Sequence, residues 1–186
     1  MTDENNVLNR KVNKCKNEGF RQNENPRFFM VMEKTAIIFI GIQASGKTTF
    51  YRQNFSSFRH INLDTLRTRE RERKEIELCQ ENGISYVVDN TNPTVEDRQR
   101  YIPAARQHGY KVIGYYFRAS VRESAERNAK RDRVVPRIAI AGTSAKLQMP
   151  SYSEGFDEIY YVRIKDSSSD KSENFMFEIM PWQEEK

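Results

Sequence analysis

Apolar residues in this chain gather in short runs separated by longer stretches of mixed polarity. The first run is Thr35-Ala36-Ile37-Ile38-Phe39-Ile40, followed by Ile84-Ser85-Tyr86-Val87-Val88 and then by residues 111–117 and 157–164. These runs are β-branched and nearly continuous, the signature of strands buried on both faces of a parallel sheet. A shorter extended piece at His60-Ile61-Asn62 makes a fifth strand. Helical stretches lie between them: Lys47 to Gln53, a charged one from Asp64 to a stop at Gly83, one from Pro93 to Gly109, and one from Val121 to Arg131. Pro103 falls inside the third and should kink or shorten it. Strands separated by helices of this length predict an α/β fold, a parallel five-stranded sheet with helices on both faces. Ligands are then expected at the carboxyl ends of the strands.

The pattern fades at both ends. Residues 1–33 read as a polar, disordered N-terminal tail, 34–164 as the domain, and 165–186 as an acidic C-terminal tail. Within that tail, Phe175-Met176-Phe177-Glu178-Ile179-Met180 fits either a short edge strand or a segment docked on the surface. The domain holds 22 Lys and Arg against 15 Asp and Glu, and the last segment 3 against 6, so an anionic partner suits the basic part. Cys15 and Cys79 are too few and too distant for a disulfide scaffold or a metal site, which makes a reducing cytoplasm the expected compartment. The start lacks the apolar core of a secretory signal, and no apolar run approaches the ~18 residues of a membrane span.

The most specific signal follows the first strand. Gly41-Ile42-Gln43-Ala44-Ser45-Gly46-Lys47-Thr48 fits G-x-x-x-x-G-K-[ST] at every fixed position, between an apolar run and a helix start. The glycines allow successive N–H groups to converge on an anion, which predicts a phosphate-binding loop for ATP. Gly41, Gln43, Ala44, Ser45, Gly46, Lys47, Thr48 and Thr49 are the expected nucleotide contacts. Lys47 would neutralise the β- and γ-phosphates and Thr48 would sit on Mg²⁺. The lysine is expected to be solvated at the mouth of the sheet.

Four charged residues stand at or just beyond strand ends: Asp64, Arg67, Asp89 and Arg118. Asp64 can take a proton from an acceptor hydroxyl, or it can simply cap the following helix. Asp89 can orient Mg²⁺, or form an Asx turn with Asn90 and Thr91. The run from Arg67 to Glu75 alternates in sign and reads as a solvated, ion-paired helix face, with only Arg67 placed to reach the site. His60 and His108 read as structural. In Arg127-Asn128-Ala129-Lys130-Arg131-Asp132-Arg133, arginines stand where an Arg-bearing lid would close over the γ-phosphate; the rival reading is a basic helix surface.

Taken together, the phosphate loop, His60-Ile61-Asn62-Leu63-Asp64-Thr65-Leu66 and Asp89-Asn90-Thr91-Asn92-Pro93 resemble the kinase domain of the 5′-hydroxyl polynucleotide kinases. The similarity runs on through Arg98-Gln99-Arg100-Tyr101-Ile102, Arg127-Asn128, Arg131 and Glu154-Gly155-Phe156-Asp157-Glu158-Ile159, and covers roughly residues 35–164. The resemblance implies a P-loop NTPase kinase fold using ATP and Mg²⁺ on the 5′ end of a single-stranded nucleic acid. By position it makes Lys47, Asp64, Arg67 and Arg131 catalytic, with Asp64 the general base and Arg67 on an acceptor phosphate. It also makes Thr48 and Asp89 the metal residues and adds Arg127 to the nucleotide contacts.

Two departures bear on the acceptor. The family often carries Arg immediately before the base, where this chain has Leu63, and the Asp-x-Asp-x-Thr motif of the accompanying phosphatase is absent from the sequence. The expectation is a stand-alone kinase, or one with a changed acceptor. A small-molecule kinase and an ATP-binding module without transfer are the alternatives. Tyr101 is a candidate to stack an end base, or else a core residue.

Overall fold

The computed structural model describes residues 33–165 and 176–183. Six strands form one sheet in the order β2-β3-β1-β4-β5-β6: β1 Thr35–Ile40, β2 Arg59–Ile61, β3 Tyr86–Val88, β4 Lys111–Phe117, β5 Glu158–Ile164 and β6 Phe177–Pro181. The first five are mutually parallel, as their patterns predict. β6 is the correction: it pairs antiparallel with β5, from Ile164↔Phe177 to Tyr160↔Pro181, so the sheet is mixed and has six strands rather than five. Most of the N-terminal stretch 1–33 lies outside the described residues. The segment expected as an acidic tail contributes a strand because Phe177 and Trp182 find apolar surface to cover.

The helices are α1 Lys47–Asn54, α2 Leu63–Leu66, α3 Arg69–Asn82, α4 Val95–Gln99, α5 Ile102–Gln107, α6 Val121–Asn128 and α7 Arg137–Lys146. Two stretches that read as single helices are broken. The helix expected from Asp64 stops at Arg67, whose φ of 68° cannot continue a right-handed helix. It restarts at Arg69 under a Thr68 cap and ends, as expected, at a left-handed Gly83. The stretch from Pro93 divides into α4, capped by Thr94, and α5, which carries Pro103 in its first turn. Among the described residues, no helix is long and apolar enough to cross a membrane.

Alternate residues of β1 serve the two faces of the sheet. Ala36, Ile38 and Ile40 pack with Val88, Tyr101, Ile102 and Tyr116 on one side; Ile37 and Phe39 pack with Phe50, Val87 and Phe117 on the other. The second face is aromatic: Phe50 of α1 meets Phe39, Phe55, Tyr115 and Phe117 with ring centroids 5.2–5.9 Å apart. Such contacts fix α1, and with it Lys47 and Thr48, on the carboxyl edge of the sheet. The chain runs from β1 to β2 at the sheet edge, returns through β3 beside β1, and then crosses to β4 on the other side of β1, so the strand order reverses there and a crevice opens above β1.

Candidate functional site

The phosphate loop leaves β1 and turns through Gly41, Ala44 and Gly46, with φ of 153°, 57° and 97°. Gly41 is required by space as well as by φ, since a Cβ there would lie 2.9 Å from the Phe117 carbonyl oxygen. Gln43 reaches away from the loop and donates to Thr143 Oγ1 of α7 at 2.9 Å.

Lys47 is buried, not solvated. Its Nζ donates to the carbonyls of Ile42 (2.6 Å) and Gly41 (3.0 Å) and to Ser45 Oγ (3.2 Å). The loop wraps around the side chain, so inward-facing oxygens replace water. Burial pulls its pKa from 10.5 to about 8, opposed by Asp89. Arg131 and Asp64 also act on it, with opposite signs, so both lie within electrostatic reach of this ammonium.

Asp89 directly follows β3 and is 3% exposed. Its Oδ2 accepts from Thr48 Oγ1 at 2.7 Å and bonds His60 Nε2 at 2.9 Å. The carboxylate thus faces the loop rather than closing an Asx turn on its own backbone. A carboxylate only accepts, which assigns the imidazole proton to Nε2. Tyr51 stacks on the His60 ring at 4.0 Å and 13°. The sequence offers one signal for this contact of His60 with Asp89: its place one residue before the buried Ile61, which turns it to the opposite side of β2.

The rest of the Asp-Asn-Thr-Asn-Pro segment binds the surrounding elements together. Asn90 Oδ1 accepts from Leu63 N, and its Nδ2 donates to Glu72. The Thr91 carbonyl receives Gly41 N at 2.9 Å, fixing the first glycine of the loop. Asn92, at φ 43°, donates to the Phe39 carbonyl. The carbonyls of Asn92 and Pro93 accept from Arg98, which is completely buried and forms a two-pronged ion pair with Glu154 at 2.6 and 2.8 Å. The Arg98 and Glu154 segments singled out in the sequence are therefore two halves of one structural tie. Tyr101 is core: 2% exposed, with its hydroxyl bound to Glu72 and Arg69 and its pKa raised by burial to about 12. It does not present a face for stacking a base.

The other wall of the crevice is exposed. The Asn62 side chain caps α2 by accepting from Asp64 N and Thr65 N. Asp64 is thus not the cap; its carboxylate is 86% exposed and lies 3.8 Å from Arg133. Arg67 sits on its left-handed corner with its side chain exposed, and the structure brings it no polar partner among the described residues. Across the crevice, a Ser120–Glu123 capping box starts α6, and Arg127 Nε donates to the Ala44 carbonyl at 2.9 Å. Asn128 pins both ends of the following loop, donating to the Val135 carbonyl and accepting from Val135 N. Arg131 and Arg133 stand on that pinned loop. Beside it a cavity of about 670 Å³ opens at the ends of β4 and β5, lined by Tyr116, Arg118, Glu123, Arg127, Ile164 and Lys165.

Comparison with known proteins agrees with this construction. A putative bifunctional polynucleotide phosphatase/kinase of Acanthamoeba polyphaga mimivirus is 31% identical over 148 residues, covering 72% of this chain and 34% of that protein. The bifunctional polynucleotide phosphatase/kinase of Schizosaccharomyces pombe is 26% identical over 136 residues, covering 69% and 33%. The chain thus spans about a third of the length of these relatives. Two solved structures share the fold: Kti12 of Chaetomium thermophilum in complex with ADP-AlF3 (TM-score 0.56, 15% identity, 73% of this chain and 91% of that one) and a gluconokinase of Sinorhizobium meliloti 1021 (TM-score 0.50, 17% identity, 70% and 83%). The resemblance to polynucleotide kinases read from the motifs is borne out. The family model described as an AAA domain matches residues 37–150, from β1 through α7, and the chain belongs to that family of P-loop proteins.

Proposed function

We propose that this chain transfers the γ-phosphoryl group of ATP to a hydroxyl, and that the acceptor is the 5′-hydroxyl of a polynucleotide. One observation carries the transferase reading. An exposed carboxylate with no capping duty, Asp64, lies within the field of the phosphate-loop lysine and beside a lid arginine. A protein that only held ATP would have no use for that juxtaposition, whereas phosphoryl transfer needs a proton acceptor there.

The residues then divide the work. Backbone N–H groups of the loop and Lys47 hold phosphate oxygens; Lys47 exchanges its carbonyl partners for them and keeps its charge. Asp64 takes the proton of the acceptor hydroxyl, and Arg131 faces the charge redistributed during transfer. Arg127 fixes the loop at Ala44 while helping to line the cavity that would receive the nucleoside. Thr48 and Asp89 are hard oxygen donors in mutual contact, a set that suits Mg²⁺, which keeps most of its waters and takes few protein ligands. Bound there, Mg²⁺ would neutralise phosphate charge. Arg67 and Arg133 supply positive charge toward a polyanionic acceptor, and the two curated relatives, both named polynucleotide phosphatase/kinases, support that acceptor class.

The test is 5′-phosphorylation of a single-stranded oligonucleotide against a mononucleoside across a salt series. A polynucleotide acceptor should bind with a steep loss of affinity as salt rises, because several phosphates release counterions. Preference for the mononucleoside, or a flat salt response with the oligonucleotide, would reject this acceptor and favour a small-molecule kinase.

A further inference from the structure

We propose that Phe177, on β6, is a positioning residue of the phosphate loop, holding Gly46 from behind; this rests on the reading that the loop binds a nucleoside triphosphate. Gly46 is the last glycine of the loop and the N-cap of α1, with φ 97°. A Cβ built there would lie 3.1 Å from Phe177 Cε1 and 3.1 Å from Ile164 Cδ1. The two side chains therefore wall the glycine closely. The same phenylalanine ring meets Phe50 at 5.0 Å and 75°, and Phe50 N donates to the Gly46 carbonyl at 2.9 Å. Phe177 thus touches both the turn that shapes the loop and the first turn of the helix that presents Lys47 and Thr48.

The strand carrying this ring is anchored independently of it. Lys165 N donates to the Met176 carbonyl and Trp182 N to the Ile159 carbonyl, at the two ends of the β5–β6 ladder. Trp182 also packs edge-on against Tyr116 at 5.6 Å. β6 lies beyond residues 37–150, so this support for the loop comes from outside the matched domain.

The physical role follows from glycine. Without a Cβ, Gly46 has access to many backbone conformations, and only one aligns the following N–H groups on an anion. A rigid ring against its α-carbon removes the alternatives before ligand arrives. Preorganisation of this kind appears as affinity, because the ordering cost is no longer drawn from binding. The effect should fall on nucleotide binding and not on the acceptor.

The experiment uses the full chain, a fluorescent ATP analogue, and the variants Phe177→Ala, Phe177→Leu and Ile179→Ala. Removing the ring should weaken nucleotide binding by about tenfold, raise KM for ATP in parallel, and leave kcat and the acceptor KM within about twofold. Amide hydrogen exchange in residues 44–48 should quicken in Phe177→Ala. Leucine, which still fills the space behind Gly46, should restore affinity to within about threefold of wild type. Ile179, 46% exposed on the same strand, should be neutral when cut to alanine. A folded Phe177→Ala protein with wild-type affinity and exchange would overturn the proposal, as would an equal loss in Ile179→Ala. If Phe177→Ala does not fold, equally slow exchange and wild-type affinity in Phe177→Gln would overturn it instead. A wild-type chain that fails to bind the analogue would reject the phosphate-loop reading itself, a different result from any of these.

Discussion

Replacing Lys47 by methionine should leave the ligand-free protein folded and within about 3 kcal/mol of wild type, while removing its response to ATP. The lysine ammonium is almost fully enclosed, and burial takes its pKa from 10.5 to about 8. At neutral pH that depression corresponds to roughly 3 kcal/mol of unfavourable charge burial, at about 1.4 kcal/mol per pH unit. Methionine fills a similar volume without the charge, but the Gly41 and Ile42 carbonyls each lose a donor, which costs about 1–3 kcal/mol apiece in return. The net runs from a gain of about 1 kcal/mol to a loss of about 3 kcal/mol, or roughly ten degrees in Tm at most for a domain of this size. The pH dependence is the sharper test. Because the folded pKa is the lower one, the unfolded chain binds more protons between about pH 8 and 10.5, so this lysine makes stability rise with pH across that window. Cys79, pushed up to about 11, and Tyr101 and Tyr110, pushed up to about 12, act in the opposite sense, from their lower unfolded values upward. Subtracting the variant's curve from the wild type's removes their contribution. Urea unfolding from pH 7 to 9.5 should therefore show wild type gaining on Lys47→Met by up to about 1.4 kcal/mol per pH unit above pH 8. Parallel curves, or a variant more than about 3 kcal/mol less stable at pH 7, would refute the reasoning and make Lys47 a structural residue.

Asp64→Asn should keep nucleotide affinity near wild type and cut single-turnover transfer by about 10²-fold or more; normal turnover would remove Asp64 from the chemistry. Arg98→Met should cost about 3–5 kcal/mol in chemical denaturation, because it strands the buried Glu154 carboxylate. Adding Glu154→Leu should recover most of that loss, whereas additive costs in the double-mutant cycle would show that the pair is not coupled. His60→Phe keeps an aromatic ring on Tyr51 but removes the bond to Asp89, and should raise the Mg²⁺ concentration for half-maximal activity by about tenfold without moving the melting point far.

The nucleotide side of the site was legible because its signals are local. A strand, eight consecutive loop residues and a helix start carry Gly41 through Thr48, and the backbone alone assembles them. Asp89 followed from its place at the end of a buried strand. What the sequence hid was long-range. Nothing near Arg98 says that it is the largest fully buried side chain, because its partner Glu154 lies 56 residues away. In a run of alternating charges, Glu72 looks like its exposed neighbours, yet it is 3% exposed and gathers Arg69, Asn90 and Tyr101 around it. The break at Arg67 was invisible for another reason: arginine has no preference for a left-handed φ, so tertiary packing overrode local propensity. β6 followed a polar linker, and its value lies in a contact with Gly46 that no periodicity encodes.

These two kinds of legibility coincide with two kinds of construction. On the nucleotide side, Lys47, Asp89 and Asn92 are buried: Lys47 is bonded within the loop, Asp89 to Thr48 of α1 and His60 of β2, and Asn92 to Phe39 of β1 and Arg98 of α4. Where the proposed acceptor would lie, Asp64, Arg67, Arg131 and Arg133 are exposed, and hydrogen bonds hold the elements behind them: Asn62 and Asn90 fix α2, while Asn128 fixes the base of the loop that follows α6. Exposed side chains on rigid supports can be exchanged at little cost to folding. Leu63, half-buried beside Asp64 where the resembled family often carries arginine, keeps its backbone N–H bonded to Asn90 Oδ1, so the frame holds whatever the side chain. Phosphoryl-donor chemistry is consequently the constrained half of this site. On the proposed function, acceptor preference would rest on a few surface charges that can vary without disturbing it.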